Sequence, residues 1–482
     1  MGIATTIFKN TAWLTIGDKI GYALQFVFFL YFAKQYGVVP SGEYSFSFYF
    51  TYAFAYLADL GASVYLLREI GRNQPRNRSL FFDCFVLRGV SLLAASLIAA
   101  AVVLSTSNGS PQKTHLLICW GAYWLFYCLA DLALAELNGH GKSVPVAILG
   151  IWLRLLCSVT GIFFIYLGMN YDAVMIAFPL GSFIYLCTCL AVSIDILGNI
   201  QIRFRAIGHY RQFFAALMPF AASIILSELL FCEDVLILGY LRDDRSVGIY
   251  SSAAKIVTFI AGISTFVTVS ILPLMARLFS ESRKRLIEVS EKILRYLILA
   301  GLPASVGLAL ISGKIIDLLY PDSFQEAALV LSVAGWSIAA GFMQTVFGAL
   351  LTAINRQKDK MIASAINLGL ATLLYFVLIR SLDNVGAAAA KSLGAVAGIV
   401  CFYYFVSRHL QKIDILTPLI KPALACLAMA VFLHYCNAWN LLILVPAAAG
   451  IYIAALFVLG EIRRDDISTL KELMPKAFVA SN

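Results

Sequence analysis

Charged side chains are scarce in this chain. Asp, Glu, Lys and Arg make up 13% of its 482 residues, and hydrophobic residues 61%. An ordinary soluble protein has about 25% charged and roughly 45–50% apolar residues. The mean hydropathy of +0.85 excludes a soluble globular domain and makes this an integral membrane protein, with the bilayer rather than a water-excluded core as its main solvent. Nucleotide-binding GxxxxGK[ST] spacing is missing, so no nucleotide hydrolysis is expected. The five histidines, His115, His140, His209, His409 and His434, form no constellation. All ten cysteines fall in apolar runs without a CxxC pair or a Cys/His set. There they act as small apolar residues, and neither disulfides, nor a metal, nor any cofactor is expected. The opening "MGIATTIFKNTAWLTIGDKIG" lacks the cleavage pattern of a signal peptide and reads as a short cytoplasmic lead into the first span. Strict polar/apolar alternation is also missing, which excludes a barrel.

Long apolar runs are what the chain does have. A helix needs about 20 apolar residues to cross the hydrocarbon layer. Fourteen such stretches occur, at 11–33, 43–65, 84–106, 115–137, 145–167, 173–195, 213–239, 248–276, 295–312, 326–352, 361–380, 387–407, 419–437 and 441–460. With a cytoplasmic N-terminus, 26 of the 36 Lys and Arg fall in cytoplasmic segments. Six fall opposite (Lys34, Lys113, Arg242, Arg245, Lys314, Arg380) and four inside spans (Lys19, Arg154, Lys255, Lys391). This asymmetry fits the positive-inside rule, places both termini in the cytoplasm, and accounts for the net charge of +9 without nucleic acid. The basic link at 277–294 reads either as an amphipathic helix on the membrane surface or as a solvated linker.

The chain repeats itself. "SGEYSFSFYFTYAFAYLADLGASVYLLREIGR" opens the second span and "VGIYSSAAKIVTFIAGISTFVTVSILPLMARL" the eighth, so that Gly42-x-Tyr44-Ser45 matches Gly248-x-Tyr250-Ser251. A weaker echo pairs "NGHGKSVPVAILGIWLRLL" from Asn138 with "NRQKDKMIASAINLGLATLL" from Asn355. Both offsets exceed 200 residues and keep membrane orientation. The expected architecture is all-α, with about fourteen transmembrane helices. It has an N-terminal six-helix lobe (1–195), a cytoplasmic inter-lobe linker (196–212), a C-terminal six-helix lobe related to the first by a parallel repeat (213–410), an extra two-helix hairpin (411–460) and a cytoplasmic tail (461–482). Transporters built this way bind cargo near the midplane, between bundles.

Ionisable residues inside a membrane are costly, about 2.5–3.5 kcal/mol each on insertion scales, and usually face an interior or a wet cavity. Lys255 lies about seven residues, roughly 10 Å, inside its span. Folding each hairpin about its loop sets Lys255 at the depth of Glu233 and Asp234, Lys19 near Asp59, and Arg154 near Asp131. Each cation is then either a structural ion-pair member, a snorkelling side chain or a cargo contact. Lys391, near its span end, is expected to snorkel. Glu228, near mid-depth, is either a protonation site or a neutral hydrogen-bonded acid. The aromatic clusters "YSFSFYFTYAFAY" and "GAYWLFYCLAD" either stack on sugars in a lumen or, more often, pack helices.

Three stretches carry a family resemblance: "FAKQYGVVPSGEYSFSFYFTYAFAYLADLGASVYLLREIGR", "LMPFAASIILSELLFCEDVLILGYLRDDRSVGIYSSAAKIVTFIAGISTFVTVSILPLMARL" and "ALLTAINRQKDKMIASAINLGLATLLYFVLIRSLDNVGAAAAKSLG". In order and spacing, over about residues 8–410, they resemble the polysaccharide-unit flippases (Wzx-type O-antigen translocases) of the multidrug/oligosaccharidyl-lipid/polysaccharide (MOP) exporter superfamily. The resemblance implies a two-lobed transporter in a bacterial inner membrane. It would move an undecaprenyl-pyrophosphate-linked oligosaccharide by alternating access, with a cationic cavity for the pyrophosphate. Lys19 and Lys255 fall where that superfamily places cavity cations on its first and eighth helices, although many relatives have Arg there. Arg154 joins them as a candidate substrate-binding cation. Asp59, Asp131, Glu228, Glu233 and Asp234 are candidate ion-coupling or pairing acids. A lipid-linked oligosaccharide, membrane lipids, and a polysaccharide polymerase with its chain-length regulator are the implied partners. Fourteen spans also resemble the lipid II flippases, and a drug/cation antiporter of the same fold is the further alternative. A membrane enzyme is disfavoured, because no long external loop exists to carry catalytic side chains.

Overall fold

A computed structural model of the chain describes residues 3–71, 78–106, 111–197, 207–410 and 413–461. Regular structure in these residues is helical: α1 (Ile3–Tyr36), α2 (Val38–Asp59), α3 (Ala62–Gly71), α4 (Arg78–Thr106), α5 (Pro111–Gly139), α6 (Ser143–Tyr166), α7 (Tyr171–Met175), α8 (Ala177–Leu197), α9 (Ile207–Leu241), α10 (Asp244–Glu281), α11 (Arg283–Leu319), α12 (Ala327–Ala334), α13 (Trp336–Ala353), α14 (Gln357–His409), α15 (Thr417–Tyr435) and α16 (Leu441–Val458). Every expected span falls in helix, because in hydrocarbon the backbone must satisfy its own hydrogen bonds. Among the described residues ten helices, or eleven with one bent pair taken as a span, are long and apolar enough to cross a membrane. Most of the expected inter-lobe linker and nearly all of the tail lie outside the described residues.

The helices depart from the expected spans in several places. The second span breaks at Leu60–Gly61, both with positive φ (57° and 67°), and α3 leaves α2 at 43°. The eleventh and twelfth merge into α14, which kinks at Asp383 (φ 51°, ψ −128°). The link at 277–294 is helix: α10 ends at Glu281, Ser282 caps α11 by accepting from the Arg285 amide at 3.4 Å, and Leu286, Ser290 and Ile293 face inward. The link is thus helical, with an inward-facing side.

By contact density the chain divides into two compact units, one of Asn10–Lys255 with Leu368–Ala387, the other of Met1–Lys9, Ile256–Asn367 and Ala388–Asn482. In the first unit α5 packs on α2, α3, α4 and α8, and α2 on α9. A core of Leu60, Leu66, Phe81, Cys84 and Leu132 lies where α2 to α5 meet. In the second unit α11 packs on α12, α13 and α15. The C-terminal hairpin is seated there through Met429, Leu433, Leu444, Tyr452 and Leu456. Glu461 fastens it by accepting from Arg295 Nε at 2.6 Å, with Lys421 Nζ 3.4 Å away.

The sequence repeat has a physical counterpart inside the first unit. A Cβ on Gly42 would strike the Asp244 carbonyl and the Gly248 amide, and one on Gly248 would strike the Val38 carbonyl. The two matched glycines therefore let α2 and α10 touch backbone to backbone. In lipid, where no hydrophobic force draws helices together, such small residues permit the close packing that does. The weaker echo is a shared helix end. Gly141 (φ 75°) and Asn355 (φ 59°) are both left-handed. The next amide in each case reaches back five residues, Lys142 N to Leu137 O at 2.9 Å and Arg356 N to Leu351 O at 2.8 Å. This is a Schellman cap, and it aligns Asn355 with Gly141 rather than with Asn138.

Candidate functional site

The glycine crossing sets the position of Lys255, two turns farther along α10. Its Nζ donates to Ser45 Oγ on α2 at 3.1 Å. It lies 3.8 Å from the centroid of the Phe29 ring on α1 and 5.7 Å from that of Tyr44. Phe29, Tyr44 and Ser45 are buried and Lys255 is half-buried. Among the described residues no carboxylate lies within ion-pair distance of it. A ring face attracts an ammonium, by about 2 kcal/mol when desolvated, without cancelling its charge. The expected pairing with Glu233 or Asp234 is corrected. Asp234 Oδ2 accepts from the Tyr250 hydroxyl and Glu233 Oε2 from Thr372 Oγ1, both at 2.8 Å. Folding a hairpin about its loop fixes depth but not azimuth, and successive helical residues point about 100° apart.

Ten residues earlier on α1, roughly 15 Å along its axis, sits a second basic station. Arg154 Nη1 donates to Asp18 Oδ1 at 2.8 Å and to the Asp18 carbonyl at 3.1 Å. Lys19 Nζ lies 3.9 Å from Asp18 Oδ2. The Arg154 guanidinium and the Lys19 ammonium lie 5.1 Å and 5.6 Å from the centroid of the Tyr22 ring. Gly21 makes this possible, because a Cβ there would collide with the Arg154 side chain. The expected partners Asp131 and Asp59 are thus replaced by one acid, Asp18. Folding a hairpin about its loop relates residues on consecutive helices, whereas Asp18 shares α1 with Lys19 and reaches Arg154 on α6.

Asp59 and Asp131 belong instead to a residue counted as part of a cytoplasmic segment. Arg88 on α4 is 2% exposed and pairs with Asp59 through Nη2. It also donates to Ser63 Oγ at 2.6 Å and lies 3.3 Å from Asp131 Oδ2, which accepts from Ser63 Oγ at 2.5 Å. Ser91 Oγ donates to the Ala58 carbonyl at 2.7 Å, a group that the break after α2 leaves without a helical partner. The network pins the α2–α3 bend. Arg88 lies four residues inside the third apolar stretch, and that depth was the available signal.

Glu228 on α9 accepts a hydrogen bond from the Tyr52 hydroxyl, so it has a partner where none was evident. The aromatic clusters pack on each other: Phe48 and Tyr52 of α2 meet Trp120 and Trp124 of α5 with centroids 4.8 and 4.9 Å apart, and both tryptophans are buried. At the other end of the unit, Lys113 pairs with Asp244 at 2.7 Å and Tyr171 donates to Glu43 at 2.9 Å. Arg242 Nε pairs with Asp383 at 2.5 Å while its Nη2 donates to the Ile379 and Arg380 carbonyls, capping the half-helix that ends at the kink. Lys391, in the second unit, is half-buried. No cluster of three or more metal-ligating side chains occurs among the described residues.

The model of the family described as polysaccharide biosynthesis protein matches residues 7–279, and the MatE model residues 219–377. A probable low-salt glycan biosynthesis flippase of Haloferax volcanii, Agl15, is 22% identical over 407 residues, 84% of each chain. The capsular polysaccharide biosynthesis protein CapF of Staphylococcus aureus is 23% identical over 215 residues, 44% of this chain and 54% of that one. In fold, the chain is similar to the lipid II flippase MurJ in an inward closed conformation, at TM-score 0.78, 17% identity and coverage of 93% of this chain and 99% of that one. It is similar also to an outward-facing multidrug resistance MATE family transporter of the MOP superfamily, at TM-score 0.60, 15% identity and coverage of 85% and 98%. Agl15, MurJ and the MATE protein are described as flippases or transporters. The chain belongs to the polysaccharide biosynthesis protein family and has the fold of the MOP-superfamily transporters.

Proposed function

We propose that this protein flips a lipid-linked oligosaccharide, an O-antigen or exopolysaccharide repeat unit on undecaprenyl pyrophosphate, across a bacterial inner membrane by alternating access. The observation that carries the reading is Lys255, an ammonium held by a hydroxyl and two rings with no carboxylate beside it among the described residues. A charge kept unneutralised inside an apolar bundle is costly and is accounted for if an anion completes it. The pyrophosphate bridge of such a cargo is that anion. The Arg154–Lys19 station farther along α1 is a second anchor for it, and the match to the polysaccharide biosynthesis family supports a glycan as the rest of the cargo. In this reading fourteen helices cross the membrane as two parallel six-helix lobes and a hairpin. Both termini are cytoplasmic, and polymerase and chain-length regulator act downstream. Among the acids, Glu228, which meets the Tyr52 hydroxyl and no cation among the described residues, is the proposed ion-coupling group.

The lipid II type of precursor is the second reading. The seated α15–α16 hairpin and the likeness to a lipid II flippase fold favour it. The antiporter reading needs unpaired acids for cationic cargo, and Asp18, Asp59 and Asp131 are occupied by cations. Reconstituted vesicles test the proposal. Translocation of a radiolabelled undecaprenyl-pyrophosphoryl oligosaccharide above protein-free vesicles is expected. Movement of lipid II alone would select the second reading, and movement of neither would end both.

A further inference from the structure

Asp18 has no assigned part in the site, yet it occupies the place an anionic ligand would take. Its side chain is 45% exposed, against 21% for Arg154 and 33% for Lys19, so the carboxylate is the most solvent-accessible member of the cluster and lies against both cations. Arg154 is also fixed from behind. Its stem crosses α1 at Gly21, where a Cβ would collide with it, and its Nη1 donates to the Asp18 carbonyl at 3.1 Å. That backbone bond survives if the carboxylate swings away. A carboxylate and a phosphate use the same donors of a guanidinium. The two cations and one acid leave one positive charge, enough to draw in a dianion but not to hold it as two free cations would. Lys255, by contrast, has its charge uncovered.

We propose that Asp18 is a built-in counter-anion that the phosphate groups of the cargo displace from Arg154 and Lys19, and that its return drives their release. The proposal rests on the anionic-cargo reading above. It makes Asp18 a determinant of affinity and turnover rather than a cargo contact: removing its charge frees donors the ligand must otherwise win, so binding tightens and release slows.

The test is a titration of full-length protein in detergent with geranyl pyrophosphate, for wild type, Asp18→Asn, Asp18→Ser, Arg154→Gln and the Asp18→Asn/Arg154→Gln double variant, with the thermal midpoint of each. Both Asp18 variants are expected to bind about tenfold more tightly and to flip lipid-linked cargo more slowly in vesicles, and the gain from Asp18→Asn should vanish beside Arg154→Gln. Inorganic pyrophosphate is run in parallel. The same tightening with it assigns the competition to the phosphates, and tightening with the prenyl form alone assigns it to the lipid-borne headgroup. Unchanged or weaker binding by both Asp18 variants, with wild type binding, overturns the counter-anion and leaves the cargo reading standing. Failure of wild type and every variant to bind either probe overturns both.

Discussion

Gly42 and Gly248, the two glycines that mark the internal repeat, face each other where α2 and α10 cross, and neither can carry a Cβ without meeting the other helix's backbone. Because the obstacle is main chain rather than a flexible side-chain end, relief requires the helices to part. Gly42→Ala and Gly248→Ala are each expected to cost about 1–3 kcal/mol, the usual range for overpacking. Both should also loosen the Lys255 cradle built just beyond the crossing. Thermal unfolding in detergent and transport by the surviving protein check this; an unchanged midpoint in both variants would remove the crossing as a packing constraint.

Lys255 and Glu233 sit at matching depth but on different partners. Lys255→Ala is expected to abolish export with protein still present in the membrane. The exchange Lys255→Glu with Glu233→Lys should not restore it. Immunoblots of membranes beside an export assay in a deletion strain give the answer, and full rescue by the exchange would restore direct pairing.

Arg88 holds two carboxylates and a hydroxyl at a helix break. Removing one partner of a buried pair costs about 3–5 kcal/mol, because the other charge is left uncompensated. Arg88→Leu should therefore lower the amount of folded protein sharply, whereas Asp131→Asn, which keeps the Asp59–Arg88 pair and can still accept from Ser63, should be mild. Comparing detergent-extracted yields and unfolding midpoints of the two variants decides it.

Asp243 opens α10 by accepting from the Ser246 amide at 2.9 Å. That hydrogen bonding, first from the Ser246 side chain, holds its carboxyl below the usual range. A depressed carboxylate contributes stability that is present above its unfolded value, about 3.9, and is lost as the pH falls below it. Asp243→Ala should lose about 0.5–2 kcal/mol, as cap removals do. Most of that difference from wild type should disappear in midpoints measured at the acid end of the protein's stable range.

Much of the molecule was legible along the chain. Hydropathy is a local property, and the requirement that backbone groups be satisfied within each segment turns an apolar run of about 20 residues into a helix. That is why the helical character of the apolar stretches, the repeat at Gly42 and Gly248 and the placing of Lys19, Arg154 and Lys255 within helices could be read from residue order alone. Pairing was not legible, since a neighbouring loop dictates how deep two residues lie but not which way they face. Only the packed helices decided that Asp18 takes Arg154, that Arg88 claims both Asp59 and Asp131, and that Lys255 rests on Phe29 and Ser45 instead of a carboxylate. Helix azimuth is set by side chains and glycines meeting across the bundle, and those contacts join residues up to 210 positions apart.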